Sequence, residues 1–227
     1  EEGYIKLGHK PFLDFKTMLK AAPALVKEQA WRSVYSMVSS YIKHPKLREA
    51  FSFHSLLVGG NPMKTSSIYA LIHKLEKDGG VGWARGGTNR LIAGMVRHFE
   101  RLGGTMRIGD PVVQVHTMGT VATEVETKSG FKERFDAVAS NGDIMHSYKD
   151  LLSNSSRGKK MAKSLNRKSF SPSLFVVHFG LDGAWPGIAH HMILFANRYK
   201  GLLDDIFSNG VLPEDFAIYL HHPTVTD

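Results

Sequence analysis

The sequence predicts a mixed α/β fold with α+β character, in which a helical first third is followed by alternating helices and strands. From residue 12 to about residue 78, apolar residues recur every three or four positions and glycines are few, as in amphipathic helices. From residue 81 onwards, such helices alternate with short apolar runs bounded by glycine and other turn residues, a pattern typical of strands.

The composition is that of a globular chain. Its 227 residues are 42% hydrophobic and 22% charged, which favours a packed core over disorder. There is no cysteine, so disulfides, thiolate metal sites and cysteine nucleophiles are excluded. The first residue is Glu1, and the last residues, HHPTVTD, do not read as a complete helix or strand. We expect either a processed domain or a piece of a longer protein.

The net charge of +8 favours phosphate-bearing partners, either nucleic acid or anionic lipid. The tightest basic run is only Arg157–Lys160, and a solvated surface explains it as well. No apolar run reaches the length of about 18 residues that a membrane-spanning helix needs, and no signal-peptide pattern is present. Charge alone therefore does not choose a function.

In the helical third, proline and glycine place the predicted ends of helices. Breakers are expected at Pro23, Pro45 and Pro62. One helix is predicted to end at residues 58–62, and the residues on one of its faces are Leu47, Phe51, His54, Ser55 and Val58. A second helix over residues 66–78 is predicted to stop at Gly79.

In the middle zone, Thr88 is predicted to cap a helix that Gly103 and Gly104 end. Its apolar face is formed by Leu91, Ile92, Met95, Phe99 and Leu102. Strands are predicted at residues 105–108, 112–116, 121–127 and 131–138, with a hairpin turn at 128–130 and a helix after residue 143.

The last zone is predicted to open with a polar loop and a basic helix. Apolar strands are expected at residues 173–181, 190–195 and 216–222, with a helix at 198–207 between the last two.

Single motifs are weak. Gly80 and Gly82 begin a dinucleotide-binding GxGxxG pattern, but its sixth position is Arg85. Phosphate-loop and serine-hydrolase motifs are absent. The pairs His190–His191 and His221–His222 lie in predicted strands, where neighbouring side chains point to opposite faces, so no metal site is predicted.

The segment from Pro11 to His44 combines aromatic and aliphatic residues with lysines. Such a helix can lie in a membrane interface, with Lys and Trp at headgroup level. A helical subdomain that packs its apolar face internally is the alternative, and composition alone favours it.

Several phrases in order along the chain resemble the bacterial-type phytoene desaturases: WRSVYSMVSSYIKHPKLREAFSFHSLLVGGNP, TSSIYALIHKLEKDGGVGWARGGTNRLIAGM, AVASNGDIMHSYKDLL, SPSLFVVHFGL and AHHMILF. The resemblance covers essentially all of the chain. It implies an FAD-dependent carotenoid desaturase with the flavin amine-oxidase-like fold. Relatives are roughly twice as long or more, so it also implies an internal fragment, inactive alone, that lacks the GxGxxG segment for the FAD pyrophosphate.

The resemblance assigns three domain parts. Residues 1–80 correspond to a helical substrate and membrane-contact region, residues 81–152 to part of a Rossmann-like FAD-binding domain, and residues 153–227 to part of a mixed-sheet substrate domain.

By the same resemblance, cofactor contacts fall at a glycine turn, a strand and a loop. Arg85, Gly86 and Gly87 match an element beside the flavin, with Ala84 where the family has proline. Val112 matches the strand that meets the adenine edge of FAD. The positions that match the loop near the dinucleotide are Ser140, Asn141 and Gly142.

The resemblance makes Lys20 and His54 the catalytic candidates. Close relatives often carry an arginine–aspartate pair and a second arginine where this chain has Lys16, Thr17 and Lys20. A solvated lysine and a satisfied helix histidine are the alternative interpretations of the two candidates.

The implied partners are phytoene or a related carotenoid and a membrane surface. An uncharged polyene is bound through apolar area, worth about 25 cal/mol per Å², and it resides in lipid. We therefore expect a cytoplasmic enzyme peripheral to the membrane, with an oligomer possible and no nucleic-acid partner. The alternatives are a desaturase of a C30 or partly desaturated carotenoid, or a non-enzymatic basic protein that binds lipid or nucleic acid.

Overall fold

A computed structural model describes residues 15–226. The described residues form two compact units, one from residues 15–87 with 171–226 and one from residues 88–170. These boundaries differ from the predicted ones at residues 80/81 and 152/153. The assignment of the segments to cofactor and substrate regions stays a prediction, and its residues 1–14 lie outside the described part.

The first unit is mainly helical, with one pair of strands. Its helices are α1 (Phe15–Lys27), α2 (Val34–Tyr41), α3 (Pro45–Ser52), α4 (His54–Leu57), α5 (Leu71–Gly79) and α9 (Tyr199–Asp204). A 3₁₀ turn (Ser67–Ala70) leads into α5, and a π-helical turn (Asp205–Asn209) extends α9. The helices predicted at 66–78 and 198–207 are thus confirmed.

Local chemistry explains several of these ends. Ser33 caps α2, its hydroxyl accepting from the amide of Ser36 at 3.1 Å, and Pro45 opens α3, where its missing N–H costs no helix bond. The break predicted at Pro23 is wrong, because α1 continues through it. Proline removes only the N–H that would bond the Leu19 carbonyl, so flanking turns can carry the helix past one such gap.

The core of the first unit centres on α9. Leu203 is 1% exposed and Leu202 is 4% exposed, and Tyr199 is buried beside them. The Tyr199 hydroxyl lies 3.1 Å from the hydroxyl of Ser52, which is fully buried at the end of α3. This polar contact therefore ties α9 to α3 inside the core.

Tyr199 should give the unit a measurable alkaline instability. Burial raises the pKa of Tyr199 to about 12, from an ordinary value of 10.0. Because the folded pKa is the higher one, the stability tied to the neutral phenol is complete below the ordinary pKa and is lost as the pH rises towards the folded value. We expect the free energy of unfolding to fall between about pH 8 and about pH 11 more in the native sequence than in Tyr199→Phe.

Urea unfolding at the two pH values measures this difference, and Tyr41→Phe is the matched control because Tyr41 is 79% exposed. An identical loss of stability in the native sequence and in Tyr199→Phe contradicts the prediction.

Two antiparallel strands complete the first unit, β4 (His191–Leu194) and β5 (Ile218–His221). Their register pairs His191 with His221 and Leu194 with Ile218. The strands predicted at 190–195 and 216–222 are therefore confirmed with shorter bounds.

The strand predicted at residues 173–181 is wrong. This segment has no regular secondary structure, and Leu174 and Phe175 are 88% and 95% exposed. A strand needs a hydrogen-bonded neighbour, and the described residues provide none for this segment. An apolar run cannot by itself supply one.

The second unit contains helices and a three-stranded sheet. Its elements are α6 (Thr88–Arg101), β1 (Val112–Met118), β2 (Val121–Thr127), β3 (Lys132–Arg134), α7 (Ile144–His146) with a π-helical turn (Ser147–Leu151), and α8 (Ser156–Leu165). The strands lie in the order β1-β2-β3 and pair antiparallel.

The hairpin predicted at residues 128–130 is confirmed between β2 and β3. The Gly130 amide donates to the Thr127 carbonyl at 3.0 Å, and Gly130 adopts φ 88°. The strand predicted at residues 105–108 is wrong, since this segment pairs with no described strand and leads into β1 without regular structure.

The predicted apolar face of α6 is present but uncovered. Four residues within α6 and one directly after it are between 47% and 73% exposed, and they are Leu91, Ile92, Met95, Phe99 and Leu102. Among the described helices, none is both long and apolar enough to cross a membrane.

Candidate functional site

The predicted flavin turn, Arg85 to Gly87, is a tight glycine turn in the first unit. Gly86 and Gly87 adopt φ 76° and φ 81°, and the Gly87 amide donates to the Ala84 carbonyl at 2.8 Å. Left-handed φ values favour glycine, so both glycines are required by the backbone. Arg85 is exposed. The turn leaves its guanidinium accessible to an anionic ligand.

Val112, the predicted adenine contact, opens β1 of the second unit opposite Thr127. Within the described sheet β1 is an edge strand, because only β2 pairs with it. An edge strand keeps half of its backbone N–H and C=O groups free for other partners. The strand therefore fits the backbone contact that the resemblance assigns to Val112.

The predicted loop residues Ser140, Asn141 and Gly142 form an exposed turn before α7. The Gly142 amide donates to the Ser140 hydroxyl at 3.3 Å, and that hydroxyl lies 2.9 Å from the Ser147 hydroxyl. Asp143 caps the helix by accepting from the His146 amide. Hydrogen bonds of the Ser140 hydroxyl therefore hold the turn, while residues 140–142 stay exposed to solvent.

The chemical groups that these three segments expose are of the types that bind a flavin dinucleotide. The glycine turn, the edge strand and the serine turn all present backbone groups or small side chains, which are the groups that approach a dinucleotide closely. The glycine turn belongs to the first unit, and the edge strand and the serine turn belong to the second unit.

Lys20, the first catalytic candidate, lies on α1 and is exposed. Lys16 and Lys27 are exposed on the same helix, which is the distribution of a solvated basic surface. Its catalytic role stays a prediction.

His54, the second catalytic candidate, belongs to a half-buried cluster with His73 and Glu76. Its Nε2 lies 3.1 Å from the Glu76 carboxylate, and its ring packs edge-on against His73 at 4.2 Å between centroids. His73 in turn bonds through Nε2 to the Phe51 carbonyl at 2.8 Å. Burial lowers the pKa of His54, His73 lowers it further and Glu76 raises it.

This cluster can accept a proton. A lowered pKa keeps His54 neutral near pH 7, which is the form that acts as a base, and Glu76 orients its ring. Nδ1 of His54 is buried and has no hydrogen-bond partner among the described residues. Sequence reasoning missed His73 and Glu76, although their spacing on α5 places both on one helix face.

A second histidine cluster joins His190, His191 and His221. Neighbouring histidines along one strand cannot bind one ion, but the register of β4 and β5 sets His191 opposite His221 on the other strand. Nε2 of His190 lies 3.0 Å from Nε2 of His221. The cluster thus arises across strands, where the sequence pattern gives no signal.

The chain matches one protein family along most of its length. The sequence model of the flavin-containing amine oxidoreductases matches residues 3–209.

Individual relatives match the whole chain. It is 57% identical over all 227 residues to a phytoene desaturase (lycopene-forming) of Paracoccus sp. and 51% identical to one of Pantoea ananas, covering 45% and 46% of those proteins. It is 37% identical over 228 aligned positions to a phytoene desaturase (neurosporene-forming) of Cereibacter sphaeroides, covering 99% of this chain and 44% of that protein. The chain therefore spans less than half the length of these relatives.

Proposed function

The chain belongs to the flavin-containing amine oxidoreductase family, and from this premise we propose that it is part of an FAD-dependent phytoene desaturase. One observation carries the proposal: the whole chain aligns with a phytoene desaturase, and 57% of the aligned residues are identical. The aligned residues include the glycine turn, both histidine clusters and the loop before α7, and they make up 45% of that relative. The activity is therefore proposed for the longer protein of which the chain is a part.

Lycopene is the proposed product. The relatives whose names specify lycopene are 57% and 51% identical to the chain, whereas the neurosporene-forming relative is 37% identical. A C30 or partly desaturated substrate is the alternative that product analysis excludes or reveals.

The reaction removes a hydride from one carbon of the polyene and a proton from its neighbour, so that a C=C bond forms. When bound, FAD supplies the two-electron acceptor. We assign Arg85–Gly87, Val112 and Ser140–Gly142 to holding FAD. His54, oriented by Glu76, is the proposed proton acceptor.

Apolar surface for the substrate is available on the described residues. Leu174 and Phe175 are almost fully exposed in the segment 173–181. An uncharged polyene offers no group for an ion pair, so its affinity must come from burying apolar area, about 25 cal/mol per Å². We propose that this segment forms part of the wall of the substrate site.

Peripheral membrane binding from the cytoplasmic side is part of the same proposal. On and just after α1, Phe15 and Trp31 are 78% and 68% exposed, and Lys16 and Lys20 are exposed on the same helix as Phe15. Apolar side chains flanked by lysines favour the boundary of an anionic bilayer. A phytoene-binding enzyme needs such contact because its substrate resides in lipid.

The test uses the full-length protein that contains this chain. Purified protein is incubated with FAD and phytoene in anionic liposomes, and the products are separated by chromatography. We expect bound flavin and lycopene as the main product. Conversion only of a C30 analogue would replace the proposed substrate, and absence of both flavin and product would refute the proposal in favour of a binding protein.

A pair of variants in the same assay tests His54. We expect His54→Gln to slow desaturation at least tenfold, in line with loss of a general base, while the bound flavin is unchanged. His44→Gln is the matched control, since His44 is an exposed residue at the start of α3 whose side chain makes no capping bond. Equal rates for the two variants would remove His54 from the reaction.

A further inference from the structure

We propose that His190, His191 and His221 form a binding site for a transition-metal ion of the Zn²⁺ type. One ring nitrogen from each residue lies within 4.8 Å of those of the other two. Neutral imidazole is a preferred ligand of Zn²⁺, and three histidines with an open fourth position are a known arrangement for this ion. The site lies at the end of the β4–β5 pair in the first unit.

The distances suit such an ion. In a tetrahedral site with Zn–N bonds of about 2.0–2.1 Å, ligand nitrogens lie about 3.3–3.4 Å apart. The Nε2 atoms of His190 and His221 are 3.0 Å apart. A small increase in this distance would let both nitrogens bind one ion. His191 is exposed, and one of its ring nitrogens already lies within 4.8 Å of those of the other two residues.

The outer nitrogens of two rings already have hydroxyl partners. His190 Nδ1 lies 2.5 Å from the Thr226 hydroxyl, and His191 Nδ1 lies 2.5 Å from the Tyr219 hydroxyl. In the tautomer with the proton on Nδ1, each ring donates to its hydroxyl and turns the lone pair of Nε2 inwards. Outer partners of this kind orient histidine ligands and fix their tautomer.

The three rings lie against one another. The rings of His191 and His221 stack at 8° between planes, and those of His190 and His221 lie 5.0 Å apart between centroids. Metal binding uses the lone pairs of neutral imidazoles, so a cation can take the place of the proton that His190 and His221 share.

The other histidine cluster is a weaker candidate for a metal. In the group His54, His73 and Glu76, the histidine and the carboxylate already bond to each other at 3.1 Å, and His73 bonds the Phe51 carbonyl. These contacts already engage Nε2 of both histidines and the Glu76 carboxylate, and the buried Nδ1 of His54 is left without a partner among the described residues. By contrast, His190 and His221 face each other with equivalent nitrogens that share one proton.

An ion at this site has a structural consequence near the glycine turn. The Trp83 ring packs edge-on against His190 and His221, at 4.6 Å and 5.2 Å between centroids. Trp83 comes two residues before Arg85 in the chain. An ion bound by the three histidines would therefore cross-link β4 and β5 and fix the rings against which Trp83 packs, just before the Arg85–Gly87 turn.

Metal binding is tested on the full-length protein after treatment with a chelator. Calorimetric titration with Zn²⁺ and visible absorption with Co²⁺ give the number of ions bound and their coordination. We expect His221→Gln to lose one equivalent, or to bind it at least tenfold more weakly. We also expect Co²⁺ to quench Trp83 fluorescence in the native sequence and not in the variant.

Two variants serve as controls, His44→Gln for an unrelated exposed histidine and His73→Gln for the other cluster. Both should bind as the native sequence does, and equal urea midpoints without metal show that His221→Gln is folded. Equal Zn²⁺ binding in the native sequence and in His221→Gln overturns the proposal, as does loss of the ion in His73→Gln. The readout needs neither flavin nor phytoene, so it is independent of desaturase activity.

Discussion

Residues 1–227 expressed alone are expected to bind no FAD and to desaturate no phytoene, while binding the apolar dye ANS strongly. The chain contains no GxGxxG sequence for a pyrophosphate and spans 45% of its 57% identical relative. The surfaces assigned to FAD are a turn, a strand edge and a loop, which supply only part of the contacts that a dinucleotide needs.

Uncovered apolar surface is the reason for the dye binding. The α6 face and the segment 173–181 leave large side chains in solvent, among them Leu102 at 73% and Phe175 at 95% exposed. Contiguous exposed apolar patches of this kind mark surfaces that another segment or partner covers. In the full-length protein we expect the same side chains to be covered and the dye signal to fall.

The measurement compares the 227-residue chain with the full-length protein at equal concentration, by flavin absorbance after FAD is added and removed by gel filtration, and by ANS fluorescence. A short chain that stays yellow and reduces its flavin with phytoene would show that the site is complete within these residues. Weak ANS fluorescence from the short chain would contradict the account of the uncovered surfaces.

Local sequence patterns were sufficient to predict the elements whose hydrogen bonds form between residues close together in the chain. The helix from Thr88 and the hairpin at Gly130 follow from apolar periodicity and from a glycine that adopts positive φ. Residues 173–181 have the same apolar character as β4 but no described partner, so they form no strand. Strand prediction from one segment omits this requirement.

The candidate site divides in the same way. The turn at Arg85–Gly87 could be predicted because glycine turns are local, and both glycines adopt positive φ. Its role at the flavin comes from the family resemblance and stays a prediction. The histidine cluster depends on which residue of β5 lies opposite His191, and the partner of His54 depends on where α5 packs. Register and packing are set by distant contacts that no short window contains.

Gly158→Ala is expected to destabilise the second unit by about 1–3 kcal/mol, the range for overpacking of a core. A Cβ at this position would lie 2.2 Å from the Leu152 carbonyl oxygen and 2.8 Å from the Leu152 Cβ. Both atoms are fixed by the backbone, so no side-chain rotation relieves the clash. Gly158 is also buried near the start of α8, where its amide donates to the Ser155 hydroxyl that caps the helix.

Gly94→Ala is the matched control, with the opposite expected sign. Gly94 lies within α6 of the same unit, and a Cβ there would meet only the end of the Arg97 side chain, at 3.7 Å. Alanine in an open helical position is more stable than glycine by about 0.5–1 kcal/mol.

Urea unfolding of the full-length protein, followed by a probe in residues 88–170, measures both changes. Because helix propensity alone favours alanine at both positions, only the contact with Leu152 can make their signs differ. A gain in stability for Gly158→Ala would mean that α8 does not approach Leu152 as closely as the structure shows.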